Sequence, residues 1–163
     1  MKKKPTEDAL HALWNGDPRR VEKALAGLPV RFVHNADYAE GLGTSLKTGI
    51  AAVPADADGA IVCLGDMPQV DAGLIDKLVA AFDPERGALV VVPTFDGRRG
   101  NPVVWSRRFF HDLMSIQGDI GARHLIGSYA EAVVEVAVDG EAALTDVDTP
   151  ESFSSVKAEI ERA

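Results

Sequence analysis

The sequence predicts an α/β fold with a mainly parallel sheet, and three observations carry that expectation. Ala60 to Leu64 and Ala88 to Val92 are uninterrupted apolar runs, the pattern of strands covered on both faces. Between them Leu74, Ile75, Leu78, Val79 and Phe82 recur at helical spacing, giving strand, helix and strand within about 35 residues, a βαβ unit. The chain is 46% apolar but only 6% aromatic, so its core is built from Ala, Val, Leu and Ile, as α/β packing prefers.

The elements follow in order. Asp8 to Trp14 reads as a short helix closed by Asn15-Gly16. Asp17-Pro18 starts the next one with an acidic cap and a proline at the first helical position; Val21, Leu25 and Leu28 form its apolar edge and Gly27 stops it. Val30 to His34 alternates as a strand and runs into the loop Asn35 to Tyr38. Gly41 to Ile50 places two glycines and two hydroxyl residues ahead of Leu46, Ile50 and Val53 at helical spacing. Such a loop offers free N–H groups to an anion or a base edge, or simply uses Thr44 or Ser45 as an N-cap.

Pro54 to Gly59 is a turn into the Ala60–Leu64 strand, which Gly65-Asp66-Met67-Pro68 ends abruptly because proline forbids helical continuation. Asp66 therefore stands at a strand's carboxyl end, where open α/β sheets hold ligands. It either caps a turn or holds Mg²⁺ against a phosphate. Asp71 caps the following helix, Asp83-Pro84 ends it, and Pro93 closes the second apolar strand. Thr94 to Pro102 reads as a mobile loop carrying Arg98 and Arg99, suited to an anionic group or to solvent. Val103 to Trp105 is a short strand and Arg107 to Ile116 a helix with Phe109, Phe110 and Leu113 inward. Gly118 to Arg123 is a turn opening a short helix with Leu125 and Ile126 buried. Val133 to Val138 is an edge-type strand, and Thr149-Pro150 starts the last helix just after Asp146 and Asp148.

Composition limits the function classes. The 163 residues suit one domain, and the net charge of -8 argues against electrostatic binding of nucleic acid or anionic membranes. Cys63 is the only cysteine, which excludes an internal disulfide, and its place in an apolar strand assigns it to the core. No apolar run approaches the roughly 20 residues that span a bilayer. Lys2 to Lys4 precede no apolar segment, so the expectation is a soluble, cytoplasmic protein. His111 and His124 lack metal-ligand spacing.

Taken together, Gly41 to Gly49, Leu64 to Pro68, Gly97 to Val103, Gly118 to Arg123 and Asp146 to Glu151 resemble the MobA-like nucleotidyltransferase family of the molybdenum cofactor, especially its cytidylyltransferase branch. The resemblance runs from about Asp17 to the C-terminus, with residues 1–16 unmatched. It implies a Rossmann-like, three-layer α/β/α nucleotidyltransferase fold. It also implies transfer of CMP, or another nucleotide, from a triphosphate (CTP favoured) to a molybdopterin-type phosphate, with release of pyrophosphate. By the same resemblance Asp66 and Asp148 are catalytic and hold Mg²⁺. Gly43, Thr44, Ser45, Leu46 and Gly65 bind nucleotide, while Arg99, Gly100, Asn101, Pro102, Asp119 and Arg123 bind the acceptor.

Two departures shape what is expected. Asn101 stands where family members commonly carry histidine, which bears on the acceptor's identity. The family's opening strand and its Leu-Ala-Ala-Gly…Arg-Met-Gly…Lys triphosphate loop have no counterpart in Met1 to Gly16, so the fold reads as N-terminally truncated. Weak CTP binding, negligible turnover, and self-association or pairing with a chain that completes the site are then expected. The alternative is a non-catalytic cofactor-binding or assembly domain.

Overall fold

The computed structural model describes residues 18–116 and 122–160. The predicted helix at 8–14, the Gly118–Gly121 turn and Asp119 lie outside them. Helix α1 (Pro18–Ala24) forms after Asp17 and gives way to turns in which Gly27 takes φ +82°. Val30 to His34, expected as a strand, joins no sheet. Alternating apolar residues supply a strand's side-chain pattern, yet a strand also needs a neighbour's backbone, and no described strand lies alongside. Val30, Phe32 and Val33 are consequently about half exposed.

Helix α2 (Leu42–Ala51) begins three residues earlier than a Thr44 N-cap requires. Gly41 occupies the cap at φ +111°, a region that L side chains rarely adopt, so the glycine rather than a hydroxyl sets the entry angle. Strand β1 (Gly59–Val62) follows, then α3 (Ala72–Ala81), capped by Asp71, whose Oδ1 accepts the Leu74 N–H at 2.8 Å. Leu74 and Leu78 are buried on α3, whereas Val79, expected on the same face, is exposed.

Strand β2 (Val90–Phe95) runs straight through Pro93, which was expected to close it. The Pro93 carbonyl accepts the Gly100 N–H at 2.9 Å, and the neighbouring chain bulges at 100–102. The donor that proline lacks would point at that bulge, so its absence costs no ladder bond. The expected loop at 94–102 is mostly a hairpin. Phe95 pairs with Arg98 across Asp96-Gly97, both at positive φ, the two-residue turn whose twist matches antiparallel strands. After β3 (Arg98–Arg99) the bulge leads into β4 (Val103–Ser106), which turns through Arg107–Phe109 into α4 (Phe110–Ser115). Helix α5 (Arg123–Ser128), β5 (Val133–Ala137) and α6 (Pro150–Ile160) complete the described chain.

Strands β1, β2 and β5 share one direction, while β3 and β4 run against them and β4 lies between β1 and β2, so β2 with β5 is the one parallel pairing among the described strands. The βαβ unit thus skips one strand position, and the reversed strand is delivered by the Asp96-Gly97 hairpin. Helices α2, α4 and α5 cover the face formed by Val90, Val92, Val103 and Trp105. Helix α3 covers the opposite face, formed by Val91 and Val104. That is the three-layer α/β/α arrangement. Trp105 and Phe109 meet edge to face at 5.9 Å, and Phe109 meets Tyr129 at 4.9 Å. The Tyr129 hydroxyl donates to Asp112 at 3.2 Å, and this carboxylate raises the phenol's pKa.

The organising strand is therefore β2, whose Val90, Val91 and Val92 are fully buried. Ala60 to Leu64, read as covered on both faces, is only half-buried, because β1 pairs with β4 along one edge and no described strand occupies the other. Cys63, assigned to the core, is exposed. Protein around its sulfur still desolvates it enough to raise the thiol pKa, so little thiolate exists at neutral pH. Among the described residues no helix is long and apolar enough to cross a membrane.

The facing of α3 is directly testable. Leu78→Ala is expected to cost about 2–5 kcal/mol, as for other fully buried leucines, while Val79→Ala stays within about 0.5 kcal/mol. Urea unfolding midpoints of the two variants measure the difference.

Candidate functional site

Sheet, α2, α5 and the hairpin enclose an open cleft of about 1060 Å³ on the Trp105 face of the sheet. One wall is the first two turns of α2, which present Leu42, Ser45 and Leu46. Their placement depends on Asn35, in the loop that follows Val30 to His34. Its Nδ2 donates to Thr44 Oγ1 and Ser45 Oγ, each at 2.9 Å, while its Oδ1 accepts the Asp37 N–H at 3.1 Å. Thr44 Oγ1 also lies 2.9 Å from the carbonyls of Asp37 and Gly41, which share its single proton. Thr44 is thus a pin inside the turn, and Ser45 is the hydroxyl that reaches the cleft. Asparagine after a strand pattern signals a turn in sequence, but nothing in the sequence says which hydroxyls it will bond.

The floor is β1 and its continuation, Ala60 to Leu64, with Val103 and Trp105 of β4 beside it. Beyond Leu64 the chain turns, and Asp66 comes to rest half-buried with Oδ1 shielded from solvent and no hydrogen-bond partner. Buried carboxylate oxygens are nearly always satisfied, so this one is available to a donor or a cation. The Asp66 carbonyl accepts the Val147 N–H at 2.8 Å, which brings the exposed Asp148 into the adjacent loop position. No group of three or more His, Cys, Asp or Glu suited to a metal occurs among the described residues. A cation here would rest on one or two carboxylates, leaving its other positions to water and substrate oxygens, which is an ordinary arrangement for Mg²⁺.

The opposite wall is cationic. Arg98, Arg99, Gly100 and Asn101 line it from the hairpin, Arg123 from the first position of α5, and Glu135 from β5. Arg99, expected in a glycine-flanked turn, lies in β3, and Arg123 begins a helix. Gly100 has a specific steric role. A Cβ there would fall 2.0 Å from the Ala143 carbonyl oxygen, and the Asn101 N–H donates to that same oxygen at 2.8 Å. The segment from Ala143 to Val147 therefore ties the hairpin bulge to Asp66.

The structure brings Ser45, Leu46, Arg99, Gly100, Asn101 and Arg123 into one cleft lining. Gly43, Thr44, Gly65, Asp66, Pro102 and Asp148 lie outside that lining. Gly43 and Pro102 are buried packing positions. Glu135 and Asn35 were missed, because each acts through a partner more than nine residues away or through a turn's tertiary closure.

Residues 8–133 match the family described as the MobA-like NTP transferase domain. The purine catabolism protein PucB of Bacillus subtilis (strain 168) is 36% identical over 125 residues, covering 74% of this chain and 58% of PucB. Molybdenum cofactor cytidylyltransferase of Escherichia coli (strain K12) is 26% identical over 130 residues, covering 78% of this chain and 62% of that protein. The chain thus spans about three fifths of the length of these curated relatives. Among solved structures, Rv0371C of Mycobacterium tuberculosis H37Rv in complex with manganese superposes with a TM-score of 0.59 at 31% identity, covering 69% of this chain and 58% of that one. A nucleotidyl transferase from Methanothermobacter thermautotroptrophicus, at 21% identity, shares the fold with a TM-score of 0.73 over 88% of this chain and 69% of its own.

Gly100→Ala tests the link between hairpin and Asp66. The added methyl collides with backbone, which cannot swing aside as a side chain would, so a loss of about 1–3 kcal/mol or more is expected. Gly97→Ala, with open space around its Cβ but φ +72°, should cost only about 1 kcal/mol. Thermal melts of the two variants give the comparison.

Proposed function

Because the chain belongs to the MobA-like NTP transferase family, we infer that it serves nucleotidyl transfer from a nucleoside triphosphate, CTP in the favoured case, to a molybdopterin-type phosphate. The observation that carries this reading is Asp66 Oδ1, buried and without a hydrogen-bond partner beside the Asp148 loop. Asp66 and Asp148 would hold a divalent cation, Mg²⁺ or the manganese named for the mycobacterial structure. Such an ion supplies charge neutralisation and alignment to the phosphates it meets. The remaining work falls to the chain. Ser45 and Leu46 meet the nucleotide's base, and Arg99, Arg123, Gly100 and Asn101 hold the acceptor. Pro102, Gly43, Thr44 and Gly65 shape these walls from behind.

The chemistry makes modest demands. A phosphate monoester is largely dianionic near neutral pH, its second pKa being about 6, so no strong general base is needed. An acceptor phosphate oxygen attacks the α-phosphorus, the α–β phosphoanhydride bond breaks, and pyrophosphate leaves with the electron pair. In-line alignment and charge compensation supply most of the rate. The arginines of the cleft contribute to both. The reading suits a cytoplasmic protein working on soluble substrates.

A second reading, a cofactor-binding or assembly domain, is favoured by one observation. The β1 edge opposite β4 has no described strand beside it, and Val30, Phe32 and Val33 present half-exposed apolar side chains. Such edges attract another strand. Sedimentation of the 163-residue chain between about 1 and 100 μM separates the readings when combined with a pyrophosphate-release assay. Concentration-dependent association with negligible turnover is expected of a half-site that a further chain completes; a monomer that turns over CTP efficiently would refute this.

Asp66→Asn tests the carrying observation. Calorimetry with CTP and Mg²⁺ or Mn²⁺ should show metal-dependent binding weakened at least about tenfold, since one carboxylate charge on a sparse site is lost. The melting temperature should hold within about 4 °C, because the shielded Oδ1 has no hydrogen-bond partner to lose. Equal binding by variant and parent would sink the metal assignment.

A further inference from the structure

Arg99 does not project freely into the cleft. Its Nε and Nη2 both lie 2.7 Å from Glu135 Oε1. Arg99 pairs with Thr94 from one side of β2, and Glu135 is in register with Val92 from the other. Val92 lies on the cleft face with Val90 and Trp105, so the ion pair spans β2 on that face. Both side chains are nearly half exposed and both line the cleft. No ion pair among the described residues engages Arg98 or Arg123, the other cations of that wall.

An arginine carries five N–H donors in a planar fork. Glu135 takes the Nε edge and leaves the outer Nη donors for a second acceptor. Holding the fork at one edge removes side-chain freedom that a ligand would otherwise have to freeze out. The same carboxylate also weakens the local positive field, so it opposes any anion by charge while favouring it by placement. We propose that Glu135 is a positioning residue that presents the Arg99 guanidinium to a phosphate group of the acceptor. The assignment rests on the acceptor-cleft reading above. It adds a residue from β5, outside every motif of the sequence.

The two effects of Glu135 separate experimentally. Titration of the full chain with inorganic phosphate, the headgroup of the acceptor, at about 0.15 M salt to suppress distant charges, supplies the affinity. Glu135→Ala loses placement and is expected to bind about threefold to tenfold more weakly. Glu135→Gln keeps an oxygen for the Nε–H while shedding the repulsive charge, and is expected to match or exceed the parent. In an Arg99→Ala background the Glu135→Ala change should add nothing. Melting temperatures should move by no more than about 4 °C, as for an exposed ion pair. Tighter or unchanged binding by Glu135→Ala would overturn the proposal, since Glu135 would then compete with the ligand or ignore it. Equal weakening of both variants with loss of melting temperature would overturn it in favour of a structural brace, and a parent that binds no phosphate would overturn it outright. None of these results touches the Asp66-dependent binding of metal and CTP, which is measured separately.

Discussion

The hydrogen-bonded seam on both sides of β2 is the constraint on which the structure depends. β4 and β5 bond to opposite edges of Val90 and Val91, and Val90 to Val92 exclude solvent completely. Fully burying three valines contributes about 1.5–3 kcal/mol each, before any hydrogen bond is counted. Everything functional is indexed to this strand. Its carboxyl end carries the hairpin with Arg98 and Arg99, its β5 edge carries Glu135, and its β4 edge sets the position of β1 and hence Asp66. A slip of β2 by one residue would turn Val91 onto the cleft face and Val90 and Val92 off it.

The fold class was legible because apolar runs and helical spacing report burial, and burial is what a sheet layered between helices imposes. The helix starts at Pro18, Asp71 and Pro150 were legible for a local reason: capping is decided within four residues. What escaped was tertiary. The run Ala60 to Leu64 carries the composition of a strand covered on both sides, and the pattern cannot say whether a neighbour is there. Thr94 to Pro102 reads as an open loop for its glycines and paired arginines, whereas the strands on either side of Asp96-Gly97 pair as a hairpin. Pro93 misled because its missing donor matters only if a partner awaits it, and the bulge removes that partner.

The candidate site divides in the same way. Asp66 was legible from a strand followed by Gly-Asp-Met-Pro, and the arginines from their glycine neighbours. The coupling between them was not. It runs through Ala143 and Val147, which hold the hairpin bulge by one carbonyl and the Asp66 loop by one amide. Backbone groups carry no residue identity, so no motif records them. Their one trace in sequence is Gly100, the residue whose side chain would occupy the contact.

The distribution of charge adds a further constraint on how the cleft works. A chain of net charge -8 repels polyanions at a distance, yet three arginines and one glutamate line this cleft. Attraction must therefore be local, within about one Debye length of roughly 8 Å, and attained only after close approach. That favours affinity set by preorganised donors over affinity set by long-range steering. An arginine tethered at one edge is a preorganised donor, whereas a free one would add field at the cost of order. Asp66 makes the same trade from the other sign: a carboxylate oxygen held out of water without a partner is unfavourable alone and favourable only when a cation arrives. On the proposed reading, cleft and carboxylate would each hold back part of their binding free energy until the complementary charge is present, and a metal–phosphate complex would supply both complements.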